Sequence, residues 1–436
     1  MKFNSASMDT GKANQGYLFN RGYTNYMFIL LFLLYMFDYI DRMVLSSLFP
    51  YISADWHISD ARLGALAAAL KISIVVLTFP ISLLVDRWSR KRMIASMAVI
   101  WSIATAACAF TKSFGQLLTA RLFIGVGEAG YAPGGTAMIS ALYPAKKRSM
   151  VIGIWNASIP IGIALGMMLG GKIASQYGWK NAFGIVAIPG FIIALLFFLV
   201  KDYKTVDLTQ ASNGSKIPEK PMRLRDSARE FIGKPSLIFT YLGFAGVIYV
   251  TDSILYWLPS YFARVQGVPI DKAGTKAGLV LLLALIGAPL GGFLVDRWQR
   301  TFNRARLVFP ALTTIVSAGI MFAAFVLFTG KIQYYILLGM GIMVMAFVAG
   351  AAAVTQDVVH PGLRAVSYSL AVIIQNAAGA TGTIVTGFIS DKTGIATAMA
   401  TLPVSLLIAA ILFYAGSFYY VKDYNKVSSI QLLPES

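Results

Sequence analysis

Apolar runs of membrane length, each bounded by charged and turn residues, recur along the whole chain. They predict helices over 24–50, 61–85, 93–111, 114–142, 149–176, 180–200, 235–262, 274–295, 305–329, 332–356, 364–390 and 395–421. A bilayer crossing needs roughly 20 mostly apolar residues. Twelve crossings fit a chain of 436 residues and leave short loops with one longer connector. That connector, 201–234, is rich in Ser, Asn, Lys and Pro and ends in MRLRDSAREF. Two readings of its second part stand: a solvated tether, or an amphipathic helix whose Arg223, Arg225 and Arg229 meet anionic headgroups.

Composition removes the soluble alternatives. With 57% apolar and only 13% charged residues, a water-soluble globule is excluded. A net charge of +18 would suggest nucleic acid in a soluble chain, but here the basic residues lie between apolar stretches, so no nucleic-acid partner is expected. With the N-terminus inside, 25 Lys and Arg fall in the inner stretches, 9 in the outer loops and 3 within helices. The positive-inside rule then predicts that both termini are cytoplasmic. The stretch Met1 to Gly22 has no apolar core, so no cleavable signal peptide is expected. One cysteine, Cys108, and two histidines make an internal disulfide impossible and a metal site improbable.

An internal repeat organises the rest. Residues 83–90 read LLVDRWSR and residues 293–300 read FLVDRWQR, an offset of 210. At an offset of 216, Arg148 matches Arg364, Gly171 matches Gly387 and Gly178 matches Gly394. The chain is therefore expected to be an all-α membrane protein built as two pseudo-symmetric six-helix bundles, 24–200 and 235–421, with cytoplasmic tails 1–23 and 422–436. Two such bundles can rock about a shared cavity and expose it alternately on each side, which is the geometry of transport.

At this point the sequence resembles the major facilitator superfamily over nearly its whole length. The loop signature of that family is matched by Ser82, Asp86, Arg87, Arg90 and Lys91, with Ser82 and Ser89 standing where glycine is usual. The later copy, Gly292, Asp296 and Arg297, keeps its first glycine. An acid beside several cations at a helix end can bond to the neighbouring half in one state and release it in the other, so Asp86, Arg87, Arg90, Asp296 and Arg297 are expected to gate. The alternative is that these are positive-inside charges with no gating role.

Charges within the apolar runs point to the site. An ionisable group at mid-membrane costs roughly 2.5–3.5 kcal/mol on insertion scales, so it faces a cavity or a partner and usually serves transport. Seven such groups occur: Asp38, Asp41 and Arg42 at i, i+3, i+4 spacing, then Lys71, Arg121, Glu128 and Asp252. Four acids against three bases nearly cancel, as a dry cavity requires. Burial favours the neutral acid and a nearby arginine favours the carboxylate, so alternating access lets the acid bind and release a proton. When the acid protonates, its arginine is freed for a substrate anion.

The stretch Tyr39-Ile40-Asp41-Arg42, the residues Arg121, Glu128, Ala129, Gly130, Pro133 and Gly134, and the phrase Tyr256-Trp257-Leu258-Pro259-Ser260-Tyr261 together resemble the anion:cation symporter branch. That resemblance implies that Asp41 and Glu128 carry the coupling protons and that Arg42 holds a substrate carboxylate. It also implies pairing of Asp41 with Arg121 and of Glu128 with Arg42. Lys71 departs from the family pattern and is read either as a second point charge for the anion or as the neutraliser of Asp38. Asp252 accepts a substrate hydroxyl, pairs with Lys71 or Arg264, or faces the outer vestibule. Tyr35, Tyr39, Asn156, Gln375 and Asn376 are candidate hydrogen-bond donors to substrate, with helix-to-helix bonding as the alternative use.

The expected function is thus proton-coupled symport of a small organic anion, such as a sugar acid, by a monomer in a cell membrane, with the bacterial inner membrane preferred. No cofactor beyond the proton is expected, and no nucleophile, metal cluster or phosphate loop suggests an enzyme. Rival readings are an organic-anion exchanger or exporter, and a spinster-like lysolipid or sphingolipid carrier suggested by Gly125-Val126-Gly127-Glu128-Ala129-Gly130-Tyr131.

Overall fold

The computed structural model describes residues 17–87, 89–202, 230–360 and 363–427. The helices of the first half of the chain are α1 (Arg21–Trp56), α2 (Asp60–Arg87), α3 (Arg90–Cys108), α4 (Phe114–Glu128), α5 (Tyr131–Leu142), α6 (Ala145–Asn156), α7 (Ser158–Tyr177) and α8 (Trp179–Phe198). Those of the second half are α9 (Pro235–Arg264), α10 (Ile270–Leu282), α11 (Ala284–Gln299), α12 (Ala305–Phe322), α13 (Gly330–Met343), α14 (Val348–Asp357), α15 (Arg364–Thr393) and α16 (Ile395–Asn425).

Each apolar run read from the sequence is helical, but four are broken in two: α4/α5, α6/α7, α10/α11 and α13/α14. The run after Ala305 instead ends in a π turn, Ala323–Leu327. At the α6/α7 break, Pro160 has no N–H to give to the carbonyl of Asn156, and the ladder is interrupted at Ala157. Nine helical stretches among the described residues are long and apolar enough to cross a membrane. The connector, read in its second part as a solvated tether or an amphipathic helix, lies almost wholly outside the described residues.

The repeat is visible in the backbone. Gly178 separates α7 from α8 at φ 85°, ψ 153°, and Gly394 separates α15 from α16 at φ 86°, ψ 154°, a conformation that only glycine adopts without strain. Within the first half, α1 packs on α7 and α3 on α8; within the second, α9 and α12 pack on α16. The halves meet along α2 with α15, α7 with α10, and α1 with α9.

One packing feature aims the site. Gly162, Gly166 and Gly170 let α7 lie directly on the α1 backbone, where added Cβ atoms would sit 2.5, 2.6 and 3.0 Å from the carbonyl oxygens of Met36, Ile40 and Val44. With that face of α1 committed to α7, the 100° step per residue turns Asp38 and Arg42 to the opposite side and Asp41 to a flank. The glycine spacing is thus a helix-packing device.

Candidate functional site

The α1 charges enter a buried interior formed with α3 and α4. Asp38 and Asp41 are fully buried, as is Arg121, and Glu128 is buried at the C-terminal end of α4. The glycines before Glu128 have a packing job: Gly125 lies against Ser73 and the Leu70 carbonyl of α2, and Gly127 against Met97 and Trp101 of α3. They seat α4 between two helices and fix the carboxyl of Glu128 facing α1.

Arg42 is the hub. Its Nε is 2.8 Å from Glu128 Oε2 and its second terminal nitrogen is 2.9 Å from Asp38 Oδ2, so the expected contact with Glu128 is present and Asp38 is shared with it. The Nε proton does not point along the line to Glu128, so that contact is Coulombic more than a formed hydrogen bond. The guanidinium also lies over the Tyr39 ring, 4.7 Å from its centroid, a cation–π contact that gives Tyr39 a role through its face. Tyr35 stacks on Trp155 at 4.3 Å, and Tyr131 and Trp155 both donate to the Leu31 carbonyl, at 2.7 and 3.3 Å. Tyr35 therefore belongs to an aromatic wall behind the charges.

The other expected pair is not closed. Asp41 and Arg121 make no ion pair within 4 Å; Thr105 of α3 instead donates to Asp41 Oδ2 over a long 3.4 Å. All three guanidinium nitrogens of Arg121 and Asp41 Oδ1 are buried with no hydrogen-bond partner. An unpartnered buried group costs about 1–3 kcal/mol, more when charged. Unlike Asp38 and Glu128, which Arg42 pairs, these atoms have neither an ion pair nor a hydrogen bond among the described residues. Thr105 had no signal in the sequence, because a lone threonine in an apolar helix bonds most often to its own backbone.

Lys71 is not the neutraliser of Asp38. Its ammonium pairs with Asp252 Oδ2 at 2.8 Å, reaching from α2 in the first half to α9 in the second. Arg264, the other partner considered for Asp252, pairs with Asp60 at 2.6 Å. Asp60 also accepts from Ser390 at 2.5 Å, and Asp391 of α15 accepts from the backbone N–H groups of Asp60 and Ala61 at 2.7 and 2.9 Å, capping α2 from the opposite half. The rim residues Asp60, Ser390 and Asp391 were missed by sequence reasoning, since acids and serines near helix ends resemble ordinary solvated loop groups.

The three amide candidates make no hydrogen bond to the charged cluster among the described residues. Asn156 is exposed at the end of α6, Gln375 is half-buried on α15, and Asn376 donates to the Val372 carbonyl of its own helix at 3.0 Å. Of the gating candidates, Asp296 and Arg297 are exposed and make no ion pair among the described residues, while the side chains of Asp86, Arg87 and Arg90 lie outside the described residues.

Comparison with known proteins places this geometry. The family model of the Major Facilitator Superfamily matches residues 31–383. This chain belongs to the major facilitator superfamily. It is accordingly a multi-pass membrane transporter and not an enzyme. The hexuronate transporter of Bacillus subtilis is 27% identical over 84% of this chain and 88% of its own length. Protein spinster homolog 1 of Mus musculus is 26% identical over 86% of this chain and 74% of its own. Among solved structures, a bacterial homolog of the human lysosomal transporter spinster, inward-facing and occupied, superposes with a TM-score of 0.80 at 23% identity, covering 96% of this chain and all of that one. The D-xylose–proton symporter superposes with a TM-score of 0.71 at 16% identity, covering 90% and 97%. These likenesses of this superfamily member to solved structures concern fold alone.

Proposed function

We propose that this chain is a proton-coupled symporter of a small organic anion, a sugar acid or similar carboxylate, working by alternating access. It does so as a monomer of twelve transmembrane helices in two six-helix bundles, with both termini cytoplasmic, in a bacterial inner membrane. The single observation that carries the reading is the fully buried, unpartnered guanidinium of Arg121 beside a cluster in which Arg42 is already shared by two acids.

Asp41 and Glu128 are the proton carriers in this mechanism. Protonation of Glu128 removes one of the two negative partners of Arg42, and protonation of Asp41 removes the negative charge nearest to the α3 wall. Either event leaves surplus positive charge at Arg42 and Arg121, and a carboxylate entering the cavity restores neutrality before the cluster is sealed. The proton and the anion therefore travel together because neither alone leaves a balanced interior. Tyr39, Asn156, Gln375 and Asn376 are assigned to the sugar hydroxyls, and Asp86, Arg87, Arg90, Asp296 and Arg297 to the cytoplasmic gate. The hexuronate relative supports a sugar acid as the cargo class.

The spinster relatives support a second reading, carriage of a lysolipid. The test is uptake into proteoliposomes with the outside acidified. Accumulation of D-galacturonate or D-glucuronate that collapses with a protonophore supports symport. Failure with every sugar acid, together with movement of lysophosphatidylcholine, supports the lipid reading. Accumulation unaffected by the proton gradient but driven by a preloaded anion supports exchange.

A further inference from the structure

The polar contacts that join α2 to the second half of the chain lie on one line. It starts at the rim with Asp60, Arg264, Ser390 and Asp391, passes the bond from Thr383 to the Gly64 carbonyl at 3.2 Å, and ends inside at Lys71 and Asp252. From Asp60 to Lys71 is eleven residues of helix, about 16 Å. The innermost rung is sheltered, with the two side chains 15% and 7% exposed. It is also built for: a Cβ on Gly379 of α15 would occupy the place of the Asp252 carboxylate and lie 3.3 Å from the Lys71 ammonium.

The charges are distributed unevenly. In the interior of the first half Asp38, Asp41 and Glu128 face Arg42, Lys71 and Arg121, and the second half contributes Asp252 to this group. When the seam opens, Asp252 departs with its own half. Lys71 is then a bare ammonium on the wall of an open cavity, well separated along α2 from the rim acids, with Asp38 and Glu128 engaged by Arg42 and Asp41 bonded by Thr105.

Resting on the symport reading above, we propose that Lys71 is the entry contact for the substrate carboxylate in the open state, and that Asp252 is a built-in competitor that reclaims Lys71 as the seam closes. With Asp252 2.8 Å from the ammonium and the α15 backbone so near that a Cβ on Gly379 would lie 3.3 Å from it, Asp252 competes with a substrate carboxylate for the same charge, and closure displaces the anion toward the unpartnered guanidinium of Arg121. Lys71 thereby sets affinity from the side that opens at Arg264, and Asp252 sets how fast the loaded cavity closes. Both act on the substrate: Lys71 by touching it, Asp252 as a positioning residue acting through Lys71.

The two members of the pair should therefore have opposite effects on affinity, which a mere lock between halves would not produce. In proteoliposomes with acid outside, initial rates of D-galacturonate uptake give KM and kcat separately. Lys71→Gln is expected to raise KM about tenfold or more, by loss of one charge-assisted bond. Asp252→Asn is expected to lower both KM and kcat several-fold, because the anion is no longer displaced. The double variant Lys71→Gln/Asp252→Asn leaves no unpaired charge to unfold the protein, and its KM should follow that of Lys71→Gln. If both single variants shift KM in the same direction, or the double variant keeps the wild-type KM, the competitor role is wrong and the symport reading stands. If the wild type takes up no sugar acid under a proton gradient, both fall.

Discussion

The two seams that join the halves are built alike and charged unlike. In one, Gly64 of α2 lies against the Thr383 carbonyl of α15; in the other, Gly274 of α10 lies against the Met167 carbonyl of α7. These contacts are related by the same offsets of 210 and 216 that mark the repeat in the sequence. In both, an added Cβ would collide with the opposing carbonyl. The α2–α15 seam carries in addition the Asp60–Arg264 pair, the Asp391 cap and, with α9, the Lys71–Asp252 pair. The α7–α10 seam makes no ion pair among the described residues; Ser47 of α1 donates to the same Met167 carbonyl at 2.6 Å. Duplicated backbone packing serves the fold, and the ion pairs are placed on one copy only.

The broadest way to break this comparison is to damage the part the seams share. Gly64→Val and Gly274→Val each drive a branched side chain into a carbonyl across the seam, where neither backbone can retreat without separating helices. Both variants should lose nearly all uptake, by about a hundredfold, while eluting as folded protein in detergent. A large loss in one and near-normal uptake in the other would mean that the seams are not mechanically equivalent.

Next in size is the chemistry that only the first half carries. Glu128→Gln should abolish uphill accumulation while leaving counterflow exchange of preloaded anion largely intact, because exchange moves no net proton. Equal loss of both would reduce Glu128 to a structural partner of Arg42. Arg121→Gln should lose both activities, about a hundredfold in each, since it removes the unpartnered cation on which the anion is proposed to settle. Exchange surviving in Arg121→Gln would move the substrate to Arg42 or Lys71.

How far these sites were readable from the sequence follows from the same physics. Helix periodicity and charge in an apolar run located Asp38, Asp41, Arg42, Lys71, Arg121, Glu128 and Asp252, because mid-membrane charge is conspicuous in any sequence. Pairing between helices was readable only in part. Which partner Arg42 or Lys71 takes depends on helix rotation and on how the halves sit, to within an ångström or two, and no residue spacing encodes that. The Arg42–Glu128 contact agreed with the resemblance and the Lys71–Asp252 pair was one of the alternatives read for Asp252, whereas Asp41 and Arg121 stay apart. The helix breaks at Ala157, Leu283 and 344–347 were hidden because apolar composition is continuous through them. The rim cluster was hidden for the opposite reason: its residues look like loop polar groups until α15 is folded over the start of α2.

The seams' difference predicts smaller effects at the rim. Breaking the Asp60–Arg264 pair with Arg264→Gln removes a partly exposed ion pair, whose usual worth is below about 1 kcal/mol, yet Asp60 stays bonded to Ser390. Uptake should fall only a few-fold, and the fall should shrink at high ionic strength. Asp391→Asn should act similarly through weaker capping of α2, since an amide oxygen can still accept one of the two N–H groups that the carboxylate holds.

The smallest expected effect tests the uncharged seam. Ser47 bonds the Met167 carbonyl, which Gly274 also approaches, so Ser47→Ala removes one buried hydrogen bond from a carbonyl that keeps its α-helical partner role. A net loss of about 0.5–1.5 kcal/mol is ordinary for such a bond. If this seam only holds the halves together, that loss should appear as a lower melting temperature with KM unchanged and kcat within about twofold. A change in KM for galacturonate would show that the α7–α10 seam also reports to the substrate, and the division of labour between a mechanical seam and an ion-sensing one would have to be redrawn, with Ser47 on the cavity side.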